Sequence, residues 1–377
     1  MNNILITGGA GFIGSNLALK LLSKGYNVTV LDNLLPQIHG YNPETTSPLY
    51  LSIKDRVKFI LGDVTNKEVL SDAIKDQNIV VHLAAETGTG QSMYRIEQYT
   101  NSNVQGTSIL LDILTNQKTK VHKVLIASSR ALYGEGKYLS KELGIVYPAN
   151  RKDEDMKNGF FEVSYPSCSA LTLLATDEES KIHPSSVYGI TKQVQEQLVM
   201  TVCPTINISS VSLRFQNVYG PGQSLTNPYT GILSIFSSRI KNGLPINIFE
   251  DGLESRDFVY IDDVINATVL GIEKDEANNQ VFNVGTGVPI TVREVVENLV
   301  REFGVEASTT VSGNYRLGDI RHNYADIGKI NAQLGFKPLV DFKTGCKLFV
   351  NWVKQQVEVQ DKYDESILEM KQKGLFK

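Results

Sequence analysis

Short, mainly apolar runs alternate with amphipathic stretches through the first two-thirds of the chain. The runs lie at residues 3–7, 27–31, 57–61, 79–83, 124–128 and 209–214. Between them, residues 15–24, 67–75 and 104–115 repeat their apolar side chains at helical spacing. Apolar strands without polar alternation belong in a sheet covered on both faces, and intervening helices make that sheet parallel. The pattern predicts a doubly wound α/β fold.

Two regions break the rhythm. Residues 137–184 form a long polar insertion without a clear period, between a strand end and a helix that starts near Ser185. Toward the C-terminus, helical patterns at 291–303, 328–334 and 342–355 come with turn signals and few strands. They predict most of a smaller lobe covering the sheet's C-terminal edge, and residues 357–377 read as a charged surface helix.

Composition narrows the class. The 377 residues suffice for two domains or for one large domain with an appended lobe. A formal net charge of −4 weighs against nucleic acid or an anionic membrane surface as the main partner, while leaving room for local phosphate sites. Cys168, Cys203 and Cys346 are too scattered for a disulfide framework or a paired-cysteine metal site, which fits a reducing cytoplasm. The chain enters a buried strand at Ile4-Leu5-Ile6 without a signal-peptide pattern, and no apolar run approaches the ~20 residues of a membrane-spanning helix. A cytoplasmic protein with no membrane partner is expected.

The first strand runs into Thr7-Gly8-Gly9-Ala10-Gly11-Phe12-Ile13-Gly14 at the start of a helix. Glycines there permit a tight turn and let backbone N–H groups approach a pyrophosphate at the helix's positive end, so Gly8, Gly11, Phe12, Ile13 and Gly14 are candidate dinucleotide contacts. The second strand ends in Asp32, at the spacing of a ribose-binding acid. No arginine or lysine follows it, only Asn33, Leu34 and Leu35. A carboxylate accepts from a ribose 2′-hydroxyl and repels a 2′-phosphate, which favours NAD over NADP. Asp63-Val64, after the third strand, is placed to contact the adenine, although Asp63 also suits a turn.

Tyr188 and Lys192 stand at i and i+4 on one helix face. A phenol with an ordinary pKa of about 10 is a poor base at neutral pH; a nearby ammonium and a positive nicotinamide ring favour its phenolate. It can then take the proton of a sugar hydroxyl as hydride leaves the same carbon, while Lys192 also holds the nicotinamide ribose. Ser129, at the end of the strand Ala127-Ser128-Ser129, is the candidate hydroxyl for the reacting oxygen; strand capping by either serine is the alternative.

These motifs, with Leu83-Ala84-Ala85, Leu213-Arg214-Phe215-Gln216-Asn217, Arg256-Asp257-Phe258-Val259-Tyr260 and Asn283-Val284-Gly285-Thr286-Gly287, occur in one order from Met1 to about Pro338. Together they resemble the extended short-chain dehydrogenase/reductase family of nucleotide-sugar epimerases and dehydratases. The resemblance implies a Rossmann-type doubly wound parallel sheet with a smaller C-terminal substrate-binding lobe. The cofactor domain would take residues 1–205 plus about 255–285, with the 137–184 insertion, and the lobe 206–254 and 286–377. It also implies bound NAD, contacts from Leu83, Ala84 and Ala85 to it, a nucleotide-sugar substrate and a homodimer formed through a four-helix contact. Ser129, Tyr188 and Lys192 would be the catalytic set; Asn217, Arg256 and Arg316 would contact the substrate's diphosphate and nucleoside. Arginine's planar fork suits phosphate, although a structural salt bridge is open for Arg214 and Arg256.

Dehydratases of the family resemble one another in an acid pair directly after the position of Ser129. Arg130 and Ala131 stand there, which disfavours dehydration and leaves Arg130 open between a substrate contact and a loop cation. Reversible oxidation at C4 remains, giving net epimerisation; one-way reduction of a 4-keto sugar, or a cofactor-binding protein without chemistry, are the rivals. Segments around Leu31-Asp32-Asn33, Gly90-Gln91-Ser92-Met93-Tyr94 and Arg130-Ala131-Leu132-Tyr133 resemble a subgroup that includes dTDP-L-rhamnose 4-epimerases. That subgroup often carries paired cysteines, like a small zinc knuckle, before the catalytic tyrosine. The insertion here has only Cys168, so no metal is expected.

Overall fold

The computed structural model describes residues 2–229, 231–357 and 361–377. Five strands open the chain: β1 (Asn3–Thr7), β2 (Asn27–Asp32), β3 (Lys58–Leu61), β4 (Ile79–His82) and β5 (Lys123–Ser129). The insertion adds β6 (Lys137–Ser140), β7 (Gly144–Val146) and β8 (Leu171–Leu174). After the helix Val187–Thr205 come β9 (Ser209–Phe215), β10 (Asn217–Tyr219), β11 (Ile246–Ile248) and β12 (Ser255–Tyr260). The remaining strands are β13 (Gln280–Val284), β14 (Pro289–Thr291), β15 (Thr309–Val311) and β16 (His322–Asn323).

Seven strands form one parallel sheet in the order β13-β9-β5-β4-β1-β2-β3. Its strands are apolar on both faces because both faces are packed: Leu5, Val80, Val124 and Ile126 meet the helices Lys67–Ile74, Gly106–Asn116 and Val187–Thr205 on one side. Ile4, Ile6, Val30 and Leu125 lie under Phe12–Ser23 and Ile261–Glu273 on the other. The order reverses between β1 and β4, and that switch point opens a crevice at the strands' C-terminal ends.

Local chemistry sets the helix ends that matter. Ser186 caps Val187–Thr205 by accepting from the Gly189 N–H at 3.1 Å. Thr291 and Glu294 form a capping box on Val292–Phe303, and Asp341 caps Phe342–Gln355. The smaller lobe carries a four-stranded sheet of β10, β12, β14 and β16, and its core is continuous with one face of the main sheet. Among the described residues no helix is long and apolar enough to cross a membrane.

Strand membership redraws the expected division of the chain. β9, in the stretch assigned to the lobe, pairs with β5 and β13 in the main sheet. β12, in the stretch assigned to the cofactor domain, belongs to the smaller sheet. The insertion is ordered despite its lack of period: β7-β6-β8 form an antiparallel sheet, and a short helix spans Asp153–Lys157. The charged tail is not a free surface helix either. Residues 358–360 of it lie outside the described part, but the helix Tyr363–Gln372 buries Tyr363, Ser366 and Met370, and Phe376 bridges to Arg316.

The insertion is bolted to the lobe by charge. Arg321 is fully buried and pairs with Glu162 (2.6 Å), Glu250 (2.9 Å) and Asp251 (2.8 Å). Arg151 joins Glu250 at 2.7 Å to Glu135 at 3.3 Å. Arg321→Leu should cost about 3–5 kcal/mol, because Glu250 and Asp251 would keep their charge and lose a buried partner. Denaturant unfolding measures it; a loss below about 1 kcal/mol would mean the cluster behaves like exposed ion pairs.

Candidate active site

A cleft of about 740 Å³ lies over the C-terminal strand ends and runs into the smaller lobe. All of the side chains singled out in the sequence for cofactor, catalysis and substrate line this one cleft.

At one end, the turn after β1 leaves no room for side chains. A Cβ on Gly8 would come within 2.7 Å of the Ala84 backbone, and one on Gly14 within 2.4 Å of the Gly8 carbonyl. Gly11 is the N-cap of Phe12–Ser23, so free N–H groups of that helix face the cleft. Asp32 accepts from the Ala10 N–H through one oxygen and from the Leu34 N–H through the other, both at 2.9 Å. Each oxygen keeps a lone pair for a ribose hydroxyl. The buried His39 lies 3.8 Å from Asp32; burial pushes its pKa down, so at neutral pH it adds no cation there. Burial alone would raise the Asp63 carboxyl, but bonds from the Thr65 hydroxyl and N–H and from Asn33 hold it below its ordinary value. Val64, Leu83, Ala84 and Ala85 complete this wall. These residues fit a dinucleotide: a cradle that a Cβ would fill, a helix N-terminus and an acid without a neighbouring cation.

In the middle, Tyr188 and Lys192 project from one helix face beside Ser129. Burial raises the Tyr188 pKa, while a hydrogen bond with Ser129 and the charge of Arg130 lower it. Lys192 donates to the Ala127 carbonyl at 3.1 Å, and burial pushes its pKa down to about 7. The Ser129 hydroxyl also accepts from the Ala131 N–H at 3.1 Å, whereas the Ser128 hydroxyl is buried without a partner.

Beyond them lie the arginines. Arg130 donates its Nε–H to Asn217 at 2.6 Å, and burial, followed by the charge of Arg256, pushes it down to about 9. Arg256 donates to the carbonyls of Ser255, Arg321 and Ile320, which occupy three of its five N–H groups. Neither has a carboxylate within ion-pair distance among the described residues, so the salt-bridge reading of Arg256 fails. It holds for Arg214, which is buried against Glu196 at 2.6 Å and the Tyr133 hydroxyl at 2.6 Å. Arg316 pairs with Asp319 at 2.7 Å and lies 5.4 Å over the Phe249 ring.

Charged groups of the cleft feel one another in a connected set. Tyr188 adjoins Arg130, Arg130 adjoins Arg256 and Asp319, and Asp319 adjoins Arg316. A buried polar layer below was illegible in the sequence. His82 bonds Thr7 at 2.7 Å and Thr107 at 3.0 Å, and burial lowers its pKa to about 3. Asn103 ties the Glu86 backbone N–H (2.7 Å) to Thr191 (2.9 Å). A histidine inside an apolar strand and an asparagine inside a helix carry no signal in a single sequence.

Residues 4–151 and 163–285 match the family model described as the NAD dependent epimerase/dehydratase family. The chain is 35% identical to dTDP-L-rhamnose 4-epimerase of Burkholderia thailandensis, over 94% of this chain and 96% of that one. It is 29% identical to UDP-glucuronate 4-epimerase of Thermodesulfobacterium geofontis, over 95% and 98%. Among solved structures, UDP-glucose 4-epimerase of Thermotoga maritima with UDP-glucose superposes with a TM-score of 0.75 at 29% identity, over 94% and 100%. UDP-glucuronic acid 4-epimerase of Bacillus cereus, with UDP-glucuronic acid and NAD, gives 0.76 at 27%, over 94% and 99%.

The Asp32 geometry has a direct consequence for cofactor choice. A 2′-phosphate would meet the carboxylate with no cation to offset it, so NADP should bind about ten- to hundred-fold more weakly than NAD. Calorimetric titration of both cofactors decides it, and equal affinities would remove Asp32 from the ribose site.

Proposed function

The chain belongs to the NAD-dependent epimerase/dehydratase family and is a nucleotide-sugar epimerase; on that premise we propose that it inverts C4 of a dTDP-6-deoxy-L-hexose. The pair would be dTDP-L-rhamnose and dTDP-6-deoxy-L-talose. The observation that carries the 4-epimerase reading is what one cleft brings together. A dinucleotide cradle and a base share it with two arginines that have no carboxylate within ion-pair distance among the described residues, and with a paired arginine over an aromatic ring. Those groups suit a cofactor, a sugar, a diphosphate and a nucleoside. Arg130 and Ala131 offer no acid pair for expelling water. The likeness to the rhamnose epimerase supports the sugar; UDP-sugar epimerases of similar identity make a UDP-hexose the second reading.

Bound NAD supplies a hydride acceptor that returns the hydride within the same turnover. Tyr188, as phenolate, takes the proton of the C4 hydroxyl as the C4 hydrogen departs, leaving a 4-keto sugar. Ser129 holds the reacting oxygen, and Arg130 favours the phenolate that begins the reaction and is re-formed when Tyr188 gives its proton back. After the sugar turns over, Tyr188 returns the proton to the C4 oxygen while hydride reaches the opposite face. Lys192 would hold the cofactor's nicotinamide ribose. Asn217 steers Arg130, and Arg256 with Arg316 retains the nucleotide diphosphate during the turn.

We also propose a homodimer through the helices Gly106–Asn116 and Val187–Thr205, where Ile109, Leu198 and Val202 are only partly buried and Ile190 is exposed. Light scattering on the eluted protein tests that. Its three free cysteines are consistent with work in a reducing cytoplasm.

Tyr188→Phe removes one hydroxyl and should lower kcat about 10²–10⁴-fold with NAD still bound. Substrate deuterated at C4 should give epimerised product with its label intact, and washout into water would overturn the hydride route. Arg130→Gln removes a charge that favours the phenolate. The acid limb of kcat/KM, where Tyr188 becomes protonated, should therefore move to higher pH; an unmoved limb would restrict Arg130 to binding.

A further inference from the structure

One carboxyl on the wall of the cleft has no part in the roles assigned so far. Glu254 lines the same cavity as Arg256, Arg316 and Asp319, and its side chain is only 12% exposed. The backbone around it is pinned. The Glu254 carbonyl accepts from the Val292 N–H, and the Ser255 N–H donates to the Arg321 carbonyl, each at 3.1 Å. Arg321 stands 3.8 Å from the carboxyl but is already hydrogen-bonded to Glu162, Glu250 and Asp251. Among the described residues Glu254 Oε2 has no hydrogen-bond partner. Its neighbours Glu250 and Asp251 are held by arginine forks, whereas this acid sits by the substrate arginines with its bonding incomplete.

Four charged groups reach Glu254 from the elements around it. Glu250, in the turn after β11, opposes its ionisation. Arg256 on β12, Arg321 just before β16 and Arg316 beyond β15 favour it. Burial has the largest influence, and with Glu250 it prevails, holding the carboxyl at about 7.

Resting on the nucleotide-sugar reading above, we infer that Glu254 is a proton-linked contact for the substrate's diphosphate. As the neutral acid it donates an O–H hydrogen bond to a non-bridging phosphate oxygen, a charge-assisted and therefore strong bond. As the carboxylate it has no donor, and it sets a like charge beside the phosphates that Arg256 and Arg316 attract. Bound diphosphate thus tightens the carboxyl's hold on its proton, and by reciprocity the proton tightens the hold on diphosphate. Full affinity is present below the pKa of the free carboxyl. It is lost as pH rises through the higher pKa that the carboxyl has in the complex.

Isothermal titration of UDP-glucose and dTDP-glucose into the NAD-loaded holoenzyme, in buffers of different ionisation enthalpy, tests this. The doubly esterified diphosphate of either ligand does not titrate between about pH 6 and about pH 9, so any proton taken up belongs to the protein. Wild type should take up a proton near neutral pH, and its affinity should fall about ten- to hundred-fold across that range. Glu254→Gln keeps the size and a donor N–H but cannot ionise. It should bind nearly as tightly as wild type at the acid end, lose most of the proton uptake, and hold its affinity at the alkaline end. Lys192 and Arg130, which burial brings to about 7 and about 9, are present in both proteins, so the difference between the two reports Glu254. Wild type without proton uptake, a result that needs no variant, overturns the role. So does a variant that keeps the uptake or loses affinity with pH as steeply as wild type. Those results leave the nucleotide-sugar reading standing, whereas no binding of either ligand at any pH overturns both.

Discussion

Two guanidinium groups, Arg130 and Arg256, are drawn partly out of water into one cleft, and among the described residues neither has a carboxylate within ion-pair distance. Drawing a cation out of water without a directly paired counter-charge is costly, and much of the surrounding structure serves to hold it. Arg256 leans on carbonyls of Ser255, Ile320 and Arg321. That loop stays in place because Arg321 is buried among acids, and those acids draw in Arg151 from the insertion. Charge left unbalanced at the cleft is thus balanced one layer behind it. The result is a cleft whose positive charge is fixed in place by the fold around it.

Tyr188 and Lys192 live under the opposite pressure. Burial drives Tyr188 upward and Lys192 downward, both toward their neutral forms. Ser129 and Arg130 work against that drift at the phenol. Arg130 therefore acts in two ways, as a charge near the phenol and as one of the two cations without a directly paired carboxylate among the described residues.

What could be read from the chain follows from physical range. Continuous apolar runs, a glycine turn and an i, i+4 pair are local, so β1 to β5, the Gly8–Gly14 turn and Tyr188 with Lys192 were legible. The insertion was not, because strands of three or four residues pinned by Arg151 and Arg321 owe their order to distant charges. Nor was the buried face of the tail helix, since Tyr363 and Met370 sit in a segment dominated by charged residues. The border between the lobes was misplaced for a related reason: β9 and β12 look alike as apolar runs, and only pairing partners tell them apart. His82 and Asn103 matter through neighbours from other elements, which no local pattern encodes.

The apolar interior that passes from the main sheet into the smaller lobe, from Ile4 and Leu213 through Phe258 to Leu299 and Phe349, bears on how the protein comes apart. The other face of the sheet has a core of its own, with Leu5, Val80, Val124 and Ile126 under their covering helices. The lobe shares its interior with the sheet and so cannot unravel without baring one sheet face to water, whereas the sheet keeps its second core. A rigid swing of the lobe against the sheet would tear the shared interior.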